Sequence, residues 1–155
     1  MDNSEKLIFK NKLREFCEHI IRHRIDASKT MMENAQQSAN SEEKSSAGDK
    51  YETSRAMGHL EKDMHARQLA ENLKELASLK SVNCSALYET VTTGSFVDAG
   101  KISFFIAAGL GKHTIDARPI YFLSPQSPLA KLLMNKKTGD DFEFSNEKLK
   151  ITVLF

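Results

Sequence analysis

The chain has no tryptophan, only two cysteines and only three prolines, and each scarcity removes a class of protein. Cys17 and Cys84 stand far apart without a CxxC partner, which argues against both a disulfide framework and a thiolate metal knuckle. Two reduced thiols in a cytoplasmic protein are expected. No apolar run reaches the length of a membrane span and no signal peptide is visible, so no membrane partner is expected. Charge of one sign is also lacking: through Ser81 there are 14 Lys and Arg against 14 Asp and Glu, and beyond it 8 against 7. Neither half has the one-sided positive field that nucleic acid attracts, which disfavours direct sequence-specific binding to it. No serine sits in a GxSxG elbow, no HExxH occurs, and neither cysteine has a nucleophile's local signature. A self-contained catalytic site and a stably bound cofactor are therefore not expected.

Proline is absent before Pro119, and only Gly48 and Gly58 interrupt the first 81 residues. Helix formers fill that half, whereas β-branched, aromatic and turn residues fill the other. From Glu5 to about Ala39 the apolar residues, Leu7, Phe9, Leu13, Phe16, Cys17, Ile20, Ile21, Ile25, Met32 and Ala35, keep to one stripe, mostly by steps of three and four. This is the stripe of an amphipathic helix, about 50 Å long and so longer than a small core requires. The next sixteen-residue stretch, Gln36 to Tyr51, contains no Leu, Ile, Val, Phe or Met. A second helix is expected to start at Ser46 or Asp49 and to bury Met57, Leu60, Met64, Leu69, Leu73, Leu76 and Leu79 against the first. The polar stretch then becomes the exposed tip of an antiparallel coiled-coil hairpin spanning residues 1–81.

Two local patterns suggest sites that the spacing supports poorly. His19 and His23 lie at i and i+4, and a turn near residue 44 would set His65 opposite His23, but no accompanying Glu or Cys completes a zinc signature. Surface histidines are the better reading. Gly109-Leu110-Gly111-Lys112-His113-Thr114 resembles a phosphate loop, yet Ile106 and His113 occupy the positions where a P-loop needs Gly and a hydroxyl. A hairpin turn is expected there instead.

Past Ser81 come short β-like runs, at Leu87–Val97, Ile102–Ala108, Ile120–Leu123, Phe142–Phe144 and Leu149–Phe155. Among them sits one short helix, with Ser127 as cap, Pro128 in its first position, and Leu129, Leu132 and Leu133 as the buried face. The fold class is thus α+β: a long N-terminal helical hairpin, then a small antiparallel sheet domain over residues 82–155.

One passage is more specific. Ser124-Pro125-Gln126-Ser127-Pro128-Leu129-Ala130-Lys131-Leu132-Leu133, followed by Lys136-Lys137-Thr138-Gly139-Asp140-Asp141-Phe142, resembles the end of the bacterial transcript-cleavage factors of the GreA and GreB family. Val91–Val97, with Gly94-Ser95 inside it, resembles the first strand of their globular domain, and the hairpin turn carries Ala47-Gly48-Asp49-Lys50-Tyr51-Glu52. The resemblance implies an FKBP-like domain that docks on RNA polymerase, here through Ser124, Pro125 and Gln126. It also implies a hairpin entering the polymerase's secondary channel, where acidic tip residues help hold a second magnesium ion at the polymerase's own active site.

The acidic candidates at the tip are Glu42, Glu43, Asp49 and Glu52, with Glu43 and Asp49 the choice for the shared magnesium. In the family, an Asp and a Glu three apart precede Asn-Ala-Glu-Tyr. Matching Tyr51 to that tyrosine puts Lys44 and Ala47 at the acidic positions, whereas a shift of one residue restores Glu43. Two mechanisms stay open, cleavage stimulation and channel occupancy, and the charge of Lys44 favours the second. An FKBP-like prolyl isomerase or chaperone with a helical arm, and a coiled-coil adaptor, are the readings from other classes. A monomer is expected for the first reading.

Overall fold

A computed structural model describes residues 1–43 and 48–155, with the side chains of 42–51 outside the description. Helix α1 runs Asn3–Glu43 and helix α2 runs Gly48–Ser81. At 41 residues, α1 is about 60 Å long. Its start is fixed by a reciprocal cap: the Glu5 N–H donates to Asp2 Oδ1 at 2.8 Å, and the Asp2 N–H donates to Glu5 Oε2 at 2.7 Å. The described residues fall into two compact units, His19–Ala77 and the combination of Met1–Glu18 with Ser78–Phe155.

In the unit His19–Ala77 the two helices pack along rows of heptad spacing. On α1 the row is Ile21, Ile25, Ser28, Met32, Ala35 and Ala39, all buried except the half-buried Met32. On α2 it is Gly58, Lys62, His65, Leu69, Asn72 and Leu76, all at least half-buried. Two contacts set the register. Asn72 Nδ2 donates to Ser28 Oγ at 3.4 Å, and a Cβ placed on Gly58 would stand 3.2 Å from that of Ala39. Large apolar residues therefore line one end of the seam and small ones the other.

The α2 stripe expected from apolar spacing is only partly the buried one. Leu69 and Leu76 turn inward, but Met57, Leu60, Met64 and Leu73 are exposed, at 59, 65, 47 and 46%. The true row was hidden because it holds Gly, Lys, His and Asn among its leucines. These residues serve close approach and hydrogen bonding, which hydrophobicity does not mark.

In the other unit, five strands form a sheet in the order β3-β4-β2-β1-β7. They are β1 Phe96–Asp98, β2 Ser103–Ile106, β3 Gly111–Ile115, β4 Arg118–Leu123 and β7 Val153–Leu154. Helix α3 (Pro128–Leu133) and the hairpin of β5 (Asp141–Phe144) with β6 (Glu147–Lys150) complete the unit. Alternation along the strands sends side chains to two faces. One face meets the first turns of α1: Phe9 packs edge-on to Phe96 at 5.1 Å, and Phe16 lies 5.2 Å from Phe122. The opposite face, with Val97, Phe104 and Ile106, shares a core with Ala130, Leu133, Phe142, Leu149 and Ile151. With both faces covered, every residue of β2 is buried.

The sheet differs from the expected antiparallel one at β2 and β4, which pair in parallel from Ser103↔Ile120 to Ile106↔Leu123. The cause is β3, which inserts a second chain reversal between them. Its sequence, GKHTI, shows no apolar alternation, and it lies at the sheet edge. The reversal expected at Gly109–Thr114 is instead at Asp116 and Ala117, both at positive φ (51° and 61°), as a two-residue hairpin turn requires.

The run Leu87–Val97 yields a strand only from Phe96. Before it the backbone bonds elsewhere: the Val91 N–H donates to Lys136 O and Val91 O accepts from Asn135. Gly94, at φ +93°, comes so near Asn83 O that a Cβ would stand 2.5 Å from it. On α3 the cap is as expected, with Ser127 Oγ accepting from the Ala130 N–H at 3.2 Å and Pro128 opening the helix. Its inward face is different: Ala130 and Leu133 are buried and Leu132 is 49% exposed, because Leu132, two residues after the inward Ala130, is turned about half a circle away from it.

Lys10 is the unusual residue of this unit. Its side chain is fully buried, and its ammonium donates to Ala86 O at 2.6 Å while standing 4.6 Å from the centre of the Tyr88 ring. Burial lowers its pKa to about 8, and burial likewise pushes the neighbouring Cys84 thiol up. Lys10 ties the connector after α2 to the start of α1.

Candidate functional site

Three of the four acidic residues named for the tip flank the break between the helices. Glu42 and Glu43 close α1, and Asp49 follows Gly48 at the start of α2. Their side chains lie outside the description, and Lys44 and Ala47 lie outside the described residues. Glu52, one turn further on, is exposed. Asp49 and Glu52 are three apart at a helix start, where successive-turn positions share a face and where carboxylates are favoured by the peptide dipoles. Sequence reasoning named both residues and overlooked that spacing.

Ser124, Pro125 and Gln126 form the turn between β4 and α3. Ser124 is committed to holding it: its Oγ accepts from the Gln126 N–H at 3.2 Å, and its carbonyl accepts from Ser127 at 3.0 Å. It also packs on Gly109, where a Cβ would meet Ser124 Cβ at 3.3 Å. Of the three, Gln126 is the exposed one. Leu132, which apolar spacing put in the core, is instead an exposed leucine on α3. Its place could have been found from the half-turn argument had Ala130 been counted as a core residue.

The histidines do not gather. His19, His23 and His59 are exposed, and His65, half-buried, lies 3.3 Å from Gln68 Oε1 through Nδ1. The register from Ser28·Asn72 and Ala39·Gly58 sets His65 level with residues 33–34, roughly 15 Å along the axis from His23. Among the described residues no three potential ligands come together to hold a metal ion. His113 is a packing residue, its Nε2 2.9 Å from Leu110 O and its ring against Phe16 and Phe122. Gly109 precedes strand β3 and Gly111 opens it.

Among the described residues no helix is long and apolar enough to cross a membrane. Compared with known proteins, the chain matches no family model and no curated protein.

Proposed function

We propose that the chain is a Gre-like factor of bacterial type that binds RNA polymerase in the cytoplasm and acts through the polymerase's secondary channel. The observation that carries this reading is the joint presence of two parts in one chain. One is a pair of long packed helices whose connection falls in the polar stretch Gln36–Tyr51. The other is an α+β unit in which the resembling passage forms one continuous piece: turn, capped α3, a second turn at Lys137–Asp140, then β5. Its turn is closed by the Lys137 N–H donating to Asp140 Oδ2 at 2.7 Å. That makes the shared residues a structural unit, which is what a resemblance of fold would require.

In this reading the α+β unit docks, with Gln126 and Leu132 as the contacting side chains and Ser124 shaping the turn. The hairpin places its acidic end near the polymerase's active site. Asp49 and Glu52 have the spacing of the family's acidic pair, and Glu42 and Glu43 stand across the connection. Carboxylate oxygens suit a magnesium ion that the polymerase already holds in part. Lys44 opposes that role, so two outcomes separate the mechanisms. On a backtracked elongation complex, a cleavage factor shortens the RNA, and the effect collapses in an Asp49→Ala, Glu52→Ala double variant. A channel-occupying regulator leaves the RNA intact and changes pausing or initiation. A chain that does neither is not a Gre-like factor.

The prolyl isomerase alternative gains no support, because the space between the sheet and α3 is filled by Phe104, Ile106 and Leu133, all fully buried. Because α2 already provides the partner row for α1, an adaptor pairing with another chain would have to use the exposed Met57, Leu60, Met64 and Leu73 of α2.

A further inference from the structure

The α+β unit carries a second surface feature that the polymerase reading does not use. A cavity of about 360 Å³ opens between the start of α1 and the sheet edge, lined by Met1, Lys6, Asp98, Arg118, Val153 and Phe155. Two of these residues are half-buried cations. The Lys6 ammonium stands 5.5 Å from the Phe155 ring centre, and the Arg118 guanidinium lies 5.5 Å from the centre of Phe9 and 5.7 Å from that of Phe96. Among the described residues neither has an ion-pair partner.

The absence of a partner is not for want of nearby acids. Asp116, two residues before Arg118, is taken by Lys12, whose Nζ donates to both carboxylate oxygens at 2.6 and 2.8 Å. Asp98 lines the cavity, but its Oδ1 accepts from the Gly100 N–H at 2.8 Å. Two cations are thus held in place by aromatic rings, which fix their positions without neutralising them. Beside them Val153, the Phe155 ring and Met1 offer apolar wall. A half-buried cation pair with an apolar wall complements a ligand that ends in a carboxylate and carries a short apolar body.

We propose that this cavity is a binding site for a small amphiphilic carboxylate, held by Arg118 and Lys6 at its acid end and by Val153 and Phe155 along its body. Arg118 is the better anchor, since a planar guanidinium can take both oxygens at once. The ligand chemistry has two possible sources, a free fatty-type acid or the end of a peptide. The two differ in the amide N–H that only the peptide carries, and the test separates them on that group.

The test is an amide chemical-shift titration of the full chain with three probes: hexanoate, N-acetyl-leucine and hexylamine. Both carboxylates are expected to give saturable shifts at Lys6, Arg118, Val153 and Phe155, and the amine none. Tighter binding of N-acetyl-leucine assigns the site to peptide ends; tighter binding of hexanoate assigns it to free acids. Arg118→Gln and Lys6→Gln are each expected to weaken binding roughly tenfold or more. Because Arg118 also packs on Phe9 and Phe96, Lys6→Gln and the unmodified amide spectrum of each variant separate lost binding from lost folding. Shifts that do not saturate, that appear equally with hexylamine, or that persist unchanged in both folded variants overturn the proposal.

Discussion

At the scale of single residues, three positions hold conformations or environments in which the choice of side chain decides stability. Gly94 cannot carry a side chain without driving a Cβ to 2.5 Å from Asn83 O at a φ of +93°. Gly94→Ala is expected to destabilise the chain by about 2 kcal/mol or more, read as a fall in the urea midpoint. Ala117 is the reverse case. It sits at φ 61° in the β3–β4 turn, where glycine is at home, so Ala117→Gly is expected to stabilise by about 1 kcal/mol in the same measurement.

Lys10 gives a dependence on pH. Its folded pKa of about 8 is below its ordinary value of 10.5, so between those values the unfolded chain binds the extra proton and stability rises with pH. The contribution is fully present above 10.5 and is lost as pH falls through 8, for a total of about 3 kcal/mol. Cys84 acts in the opposite sense. Its raised pKa gives stability that is present below the unfolded thiol value and lost as pH rises through the folded one. The comparison to make is therefore between the chain and its Lys10→Met variant: urea midpoints from pH 7 to 10.5 should climb less in the variant, and an identical pH profile would show that Lys10 is not buried as described.

At the scale of elements, the seam offers a paired test. Leu76 is buried and Leu60 is 65% exposed, although apolar spacing put both on one stripe. Leu76→Ala is expected to cost about 2–4 kcal/mol, whereas Leu60→Ala should stay within about 0.5 kcal/mol. Comparable losses would return Leu60 to the seam. At the close contact with Ala39, Gly58→Leu should cost about 1–3 kcal/mol despite leucine's better helix propensity, because the helices must move apart.

The same elements show what could be read from the residues alone. The two helices, the capped α3 and most strands were legible, since long periodic runs and a Ser-Pro start are strong local signals. The α2 seam was not, because its heptad row mixes Leu69 and Leu76 with Gly58, Lys62, His65 and Asn72. Strand β3 escaped because an edge strand needs no apolar face. At the candidate site, residue types near the tip could be named, and the i, i+3 spacing of Asp49 and Glu52 in the opening turns of α2 follows from a start at Gly48 as it does from the expected starts at Ser46 or Asp49. The turn residues Ser124–Gln126 were correctly picked as a turn, but which of them is free to touch a partner depended on the hydrogen bonds that occupy Ser124.

At the scale of the whole molecule, a pair of long helices whose connection falls in the polar stretch Gln36–Tyr51 is followed in the chain by an α+β unit that exposes Gln126 and Leu132. Among the described residues no three potential ligands come together to hold a metal ion, and in the proposed reading the tip carboxylates act where another molecule provides the rest of a metal site. The proposed function rests on a macromolecular partner, and its most direct test is binding. Labelled full-length chain titrated with core RNA polymerase from its own source should form a saturable complex, weakened at least tenfold by a Gln126→Asp, Leu132→Asp double variant that keeps its helical spectrum. A polymerase that shows no saturable binding, or that binds the double variant as well as the parent chain, would contradict the account.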